Sequence, residues 1–182
     1  MARPVPMAVV DRPLPGSPRL GIGSGVVVAV TLILVFFHFV LRLGLGMGAE
    51  APDLLTVALL FHVRRVRFGT AACVGFTLGM LEDAFALVAF GANTVAMTVV
   101  GILGVQTRAF FVPTTSLSFH IIYFVTGKWL RDFIHWILQQ AAGVTSGFIE
   151  PMILTAVPAA LYAALVGVLV VKLIGPFSEG ES

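Results

Sequence analysis

The amino-acid sequence predicts an all-α membrane protein, a bundle of six transmembrane helices in which five spans are also possible. Hydrophobic residues make up 58% of the 182 residues and charged residues only 11%, whereas soluble domains contain about 25% charged residues. The mean hydropathy is +1.03. A chain of this length holds five or six spans of about 20 residues with their loops, and leaves no room for a separate soluble domain.

The first span is predicted at Ile22–Leu41, which is almost wholly apolar. Residues 1–21 combine prolines with arginines and are expected to form a disordered basic tail. A signal peptide is the alternative, because Ala49-Glu50-Ala51 follows the apolar run, but about 20 apolar residues exceed the usual 7–15 or so. The transmembrane domain is therefore predicted at residues 22–175, with a short cytoplasmic tail at 176–182.

Helix two is predicted to begin at Pro52 and Asp53 and to end at Val63. Proline suits a first helical turn, where its missing N–H is not needed, and Asp53 complements the positive end of the helix dipole. An apolar run of about 12 residues is short for a span. Either the helix extends into the arginines that follow, or it is a partly buried segment.

Helix three is predicted from Gly69 to Gly91 and carries two adjacent acids inside an apolar segment. Gly75, Gly79, Glu82 and Asp83 fall within a stripe about 100° wide on a helical wheel. An acid near the bilayer centre costs about 2.5–3.5 kcal/mol. This small and acidic face is therefore expected to pack against protein, because small residues let another backbone approach closely.

Helix four is predicted at Thr94–Gln106, after a tight turn, and its Gly101 and Gly104 are expected to pack on helix three. Helix six is predicted at Pro151–Ile174, with a kink at Pro158.

Helix five, Ser118–Leu138, carries a second polar stripe. Its buried charge stripe consists of Lys128, Arg131, Asp132 and His135. Three roles are open for Glu82 and Asp83: structural pairing with Lys128 and Arg131, contact with a partner protein, or a relay for ions or protons. The structural pairing is favoured, because it satisfies both stripes at once.

Basic residues predict the orientation in the membrane. Most of them lie in the two terminal tails and in the second and fourth loops, which six spans place on the same side of the membrane. The other side holds Arg42 alone, unless Lys128 and Arg131 reach it. Cytoplasmic loops are enriched in Lys and Arg, so both termini are predicted to be cytoplasmic. The same placement accounts for the net charge of +2 without a nucleic-acid partner.

No catalytic, metal or cofactor site is predicted. The histidines show no i, i+4 pair and no H-E-x-x-H motif, and the sequence has no Walker-type phosphate loop and no G-x-S-x-G elbow. An intramembrane hydrolase would need a nucleophile facing a base, for which Ser116 or Ser118 would be the serine to test.

The stretch from Pro52 to Gly104 resembles a known family. Its motifs are Pro52-Asp53-Leu54-Leu55 at the start of a short apolar helix, a basic turn, Gly75-Phe76-x-x-Gly79-x-x-x-Asp83, and Gly91 at the helix end. This pattern is similar to the core signature of the bacterial rod shape-determining protein MreD family. Asp83 matches the family's acid, whereas Glu82, the helix-five charges and the proline-rich N-terminal segment depart from its pattern.

The resemblance implies a non-enzymatic, multi-pass subunit of the elongation complex in the bacterial cytoplasmic membrane. Such a subunit binds the bitopic protein MreC and joins the MreB cytoskeleton to the peptidoglycan polymerase RodA and its class B transpeptidase. Its fold is similar to the substrate-binding subunits of energy-coupling-factor vitamin transporters, which are also the main functional alternative. In that alternative His135, Trp136 and Gln139 would contribute to a ligand pocket.

A specific hypothesis follows for helix three. The surface formed by Gly75, Gly79, Glu82 and Asp83 is expected to dock either helix five or the single span of MreC. Pro52 and Asp53 are predicted with it as partner-binding or helix-packing residues. Replacing Gly79 with Leu should then disrupt assembly and leave membrane insertion intact.

Overall fold

The fold was analysed in a computed structural model, which describes residues 24–46, 52–86, 89–111, 117–144 and 147–174. These ranges contain six α-helices and no strand, so the predicted all-α fold is confirmed. The helices are α1 (Ser24–Phe39), α2 (Leu54–Val63), α3 (Phe68–Asp83), α4 (Ala92–Phe111), α5 (Leu117–Ala141) and α6 (Ala156–Ile174). The predicted tails at 1–21 and 176–182 lie outside the described residues.

Two helical stretches are long and apolar enough to cross a membrane within the described part of the chain. They are Gly25–Gly44, in which α1 continues as a π-helical turn, and Glu150–Ile174, in which a π-helical turn at Glu150–Thr155 leads into α6. The irregular turn lies just before Pro158, where the sequence predicted a kink. A proline ring clashes with the carbonyl four residues earlier, and a wider turn there relieves that clash.

Helix α2 is the centre of the bundle. All ten of its residues are buried, and α1, α3, α4, α5 and α6 all pack against it. A helix that is apolar on every side has no face to turn outward, so it becomes the core. Of the two sequence interpretations, the buried segment is therefore correct, and at about 1.5 Å per residue α2 is roughly 15 Å long.

Helices α3 and α4 form a close antiparallel pair. A Cβ atom on Gly75 would lie 2.5 Å from the Met97 carbonyl oxygen, and one on Gly79 would overlap the backbone of Thr94. Gly101 meets α3 in the same way, since its Cβ would lie 2.8 Å from the Ala71 carbonyl oxygen. The expected packing of α4 on its predecessor is confirmed for Gly101 but is wrong for Gly104, which faces Val63 of α2 and Tyr123 of α5. The small face of α3 is covered by α4.

The predicted end of helix three at Gly91 is wrong. Helix α3 ends at Asp83, so Glu82 and Asp83 occupy its last turn rather than its interior. Gly91 instead lies in the turn before α4 and has a φ of +94°, a conformation that glycine adopts without steric cost. At the end of α3, Asp83 accepts hydrogen bonds from the first turn of α4.

Candidate functional site

A network of buried charges joins α1, α2, α3 and α5 where α1 and α3 end and α2 begins. It consists of three cationic and three carboxylate side chains: Arg42, Lys128, Arg131, Asp53, Glu82 and Asp132. Every cation in it has a carboxylate partner and every carboxylate has a cation. The network is therefore electrically balanced, which a group of buried charges requires if it is to stabilise a fold.

Arg131 on α5 is the hub of this network. Its Nη2 atom lies 2.9 Å from a carboxylate oxygen of Glu82 and donates a short hydrogen bond to the side-chain oxygen of Asn93. Its Nη1 atom lies 3.0 Å from Asp132 and 3.9 Å from Asp53. One guanidinium thus ties α5 to α2, α3 and α4, as its planar fork of donors allows.

Lys128 lies one turn before Arg131 on the same face of α5. Its Nζ atom is 3.1 Å from a carboxylate oxygen of Asp53 and forms a close pair with Asp132. Asp53 is also the N-cap of α2, since its other oxygen accepts the backbone N–H of Thr56 at 3.0 Å. The start of the central helix is thereby fixed to α5 by charge as well as by packing.

Arg42 closes the network from the end of α1. Its Nη1 atom lies 3.0 Å from the Glu82 oxygen that Arg131 does not contact. The carboxylate of Glu82 is thus held between two guanidinium groups from two different helices. Arg42 retains a quarter of its side-chain exposure, whereas the Glu82 and Arg131 side chains are less than a tenth exposed.

Asp83 has a separate role. One oxygen accepts hydrogen bonds from the backbone N–H and the side-chain amide of Asn93, at 3.1 and 3.0 Å. The other accepts the backbone N–H of Thr94 at 2.9 Å and its hydroxyl at 2.6 Å. The carboxylate caps the N-terminus of α4 from a neighbouring helix, and the positive end of that helix favours its charge.

The structure brings together most of the residues that the sequence singled out. The predicted pair between Glu82 and Arg131 is present, whereas Asp83 pairs with neither Lys128 nor Arg131 because four donors at the start of α4 already surround it. Gly75 and Gly79 do not touch the charges and serve the contact with α4. Pro52 precedes the Asp53 cap, and its carbonyl accepts the N–H of Leu54 at 2.8 Å.

Sequence reasoning missed one member of the network, Arg42, which was used only to predict orientation. Asp53 was predicted as a helix-packing or partner-binding residue, but its pairing with Lys128 was not. Asn93 and Thr94 were also missed, although both are strongly preferred at helix N-termini and directly follow the Gly91 turn. That preference was the available signal for an acid nearby to share their donors.

Two histidines flank the charges, one buried and one partly exposed. His38 on α1 is only 2% exposed, and neither of its ring nitrogens makes a well-formed hydrogen bond, although the Pro52 backbone lies close to it. Nδ1 of His135 is also buried without a partner. Among the described residues no three His, Cys, Asp or Glu side chains are grouped as a metal-binding set.

The chain matches no protein-family model, and no curated protein or solved structure is significantly similar to it. The fold and the contacts therefore carry the functional argument.

Proposed function

We propose that this protein is a non-enzymatic, multi-pass subunit of the bacterial cytoplasmic membrane that acts as the MreD-type component of the elongation complex. In that role it binds MreC and so joins the MreB cytoskeleton to RodA and its class B transpeptidase. The proposal has two parts, membrane residence and partner binding, and they draw support from different features.

Membrane residence is supported by an inverted distribution of polarity. Large apolar side chains lie outside, among them Phe36 at 64% exposure and Leu165 at 69%, whereas Glu82, Asp83 and Arg131 lie inside. A water-soluble protein buries its apolar side chains and exposes its charges. In a bilayer the arrangement found here, with apolar side chains outside and charges inside, is favourable. Charged side chains in membrane proteins face the interior of a bundle and pair with one another.

The scaffold role is supported by the positions of the residues that carry the MreD resemblance. Gly75 and Gly79 are the points of closest approach between α3 and α4, Asp83 caps α4, and Asp53 caps α2 and pairs with Lys128. This observation carries the proposal: the glycines and acids of the signature help to hold α2, α3, α4 and α5 together, whereas its Phe76 is exposed. A sequence signature that fixes how the helices pack is suited to a scaffold, which binds its partners through a rigid surface and not through catalysis.

The balanced network favours a structural role over a relay. An ion or proton relay needs a charged group that can lose its partner, and such a step would leave a buried charge unpaired. Both guanidinium groups around Glu82 are held within 3.0 Å of it. We therefore assign a structural role to Glu82 and Arg131, which is to hold the helices in place.

Crosslinking in the native host tests the partner. A photo-crosslinking amino acid is placed at Phe36 on α1, Phe76 on α3 or Leu165 on α6, each exposed, and at the fully buried Val57 as a control. We expect MreC to be captured at one exposed face and not at Val57, and RodA and the transpeptidase to co-purify in mild detergent.

Two results would contradict the proposal. Absence of MreC from every crosslink and every co-purification would remove the partner assignment. Recovery of ATPase subunits with a bound vitamin would instead identify a transporter subunit.

A further inference from the structure

Three arginines that have no carboxylate partner among the described residues lie at the other end of α2, about 15 Å from Asp53 by helical rise. Arg64, Arg65 and Arg67 form the turn between α2 and α3. The ion pairs of the described residues include none of them, and the first turn of α3 has no acidic residue. Within the part of the chain that the structure describes, the charges at the Asp53 end of α2 are balanced by ion pairs and the three arginines at its other end are not.

A histidine and two aromatic rings hold two of these arginines in place. Nη2 of Arg64 lies 3.1 Å from Nε2 of His120, and its guanidinium stands 5.9 Å above the centre of the Tyr123 ring. The Arg65 guanidinium lies 6.0 Å from the centre of the Phe61 ring. These contacts orient the positive charges without neutralising them.

The positive charges of the arginines at this turn are unfavourable to one another and to burial. Burial lowers the pKa of both Arg64 and Arg65, and the neighbouring charge of Arg64 lowers the pKa of Arg65 further. An anion bound at the turn would relieve that repulsion. Arg guanidinium groups bind phosphate in particular, because two parallel N–H donors match two phosphate oxygens.

An apolar ridge leads away from the arginines along α3. Phe68, Phe76 and Met80 are all exposed, at 48%, 49% and 44%. Their spacing, in multiples of four residues, places them along one side of the helix. A phosphate group at the turn with an acyl chain along this ridge matches the shape of a phospholipid, whereas free phosphate or an acidic peptide would leave the ridge uncovered.

We propose that the α2–α3 turn is a binding site for an anionic phospholipid, with Arg65 and Arg67 on its phosphate and Arg64 as a fixed neighbouring charge. This site rests on the membrane residence proposed above and is independent of MreC. The lipid would be bound selectively, on the side of the membrane where both termini are predicted to lie.

Native mass spectrometry of the full-length protein tests the site. The protein is extracted from vesicles of phosphatidylglycerol and phosphatidylcholine, and the ratio of the two retained lipids is measured. Each arginine in contact with the lipid phosphate should contribute about fivefold to the retention of an anionic lipid, and a cation away from the phosphate should contribute less. We therefore expect R67Q to lower the ratio about fivefold and R65Q/R67Q roughly 30-fold.

The matched control is K172Q, which removes one exposed cation at the same end of the molecule but not at the turn. It should leave the ratio within about twofold of the wild type. Thermal unfolding of R65Q/R67Q is measured alongside. It should differ from the wild type only by the loss of the contact between Arg65 and the Phe61 ring, because neither arginine makes an ion pair in the described part of the chain.

Three results would overturn the site: an unchanged ratio in R65Q/R67Q, an equal loss in K172Q, or binding of inorganic phosphate as tight as that of phosphatidylglycerol. Flotation of the protein with the vesicles is scored first. A protein that does not float contradicts both membrane residence and this site, whereas one that floats with an unchanged ratio contradicts the site alone.

Discussion

The guanidinium of Arg131 on α5 lies 2.9 Å from the carboxylate of Glu82 on α3. Neither side chain reaches a tenth of full exposure, so each provides the counter-charge that makes burial of the other tolerable. Arg42 contacts the second oxygen of Glu82, and Asn93 accepts a hydrogen bond from Arg131. This single pair therefore reports on the arrangement of four helices.

Removing one member of the pair should cost more than its own contacts. We expect Arg131→Met to destabilise the protein by about 3–5 kcal/mol, because Glu82 is left short of a buried cation. Glu82→Gln should also be destabilising, since Arg42 loses its carboxylate partner and Arg131 loses one of its three. The double variant should be more stable than the sum of the single effects predicts, by about 0.5–3 kcal/mol. Unfolding in mild detergent measures all three.

A matched pair of exposed charges provides the control for this cycle. Glu150→Gln and Lys172→Met change the same kinds of group at exposed positions on different parts of the α6 region. Each should change stability by no more than about 0.5 kcal/mol, and the two should add. Additive effects of Glu82→Gln and Arg131→Met would show that the two side chains are not coupled.

The sequence predicted much of this arrangement, for physical reasons. Apolar runs and breakers located the helices, and two polar stripes on otherwise apolar segments implied that Glu82 and Arg131 would meet. The sequence could not predict which groups bind the Asp83 carboxylate. The donors of Asn93 and Thr94 reach that carboxylate only because the chain turns back at Gly91. Nor could the sequence place Arg42 beside Glu82, because that contact depends on how α1 and α3 pack.

The second prediction concerns Gly79, whose side of α3 is covered by α4. Gly79→Ala should destabilise the protein by about 1–3 kcal/mol, because the added Cβ would meet the backbone of Thr94 rather than a side chain that can rotate away. Gly69→Ala is the control on the same helix, with open space around its Cβ. Equal unfolding temperatures for the two variants would contradict the close α3–α4 packing.

This placement also changes the meaning of an assembly defect in Gly79→Leu. The large side chain would separate α3 from α4, so loss of partner binding would follow from loss of the fold. The expected result is that Gly79→Leu lowers stability and co-purification together. A stable Gly79→Leu variant that has lost MreC would instead return this face to the partner.

The third prediction concerns the cap of α4. Asp83→Ala removes the acceptor of four hydrogen bonds and should cost about 1–3 kcal/mol. Amide hydrogen exchange at Asn93 and Thr94 should accelerate more than exchange at the middle of α4. Asp83→Asn keeps one carbonyl oxygen, so its stability should lie between that of the wild type and that of Asp83→Ala. Uniform acceleration along α4 would indicate general destabilisation and not loss of a cap.

The last prediction tests whether the shortest helix is the core. Leu59 on α2 is fully buried, whereas Leu165 on α6 is 69% exposed. Leu59→Ala should destabilise the protein by about 2–5 kcal/mol, because it removes buried methyl groups and leaves a cavity. Leu165→Ala, the same chemical change, should stay within about 0.5 kcal/mol, since its surroundings refill with detergent or lipid. If α2 were an ordinary peripheral span, the two variants would unfold at the same temperature. A large difference, measured in the same detergent, places α2 at the centre and explains how ten residues can organise five longer helices.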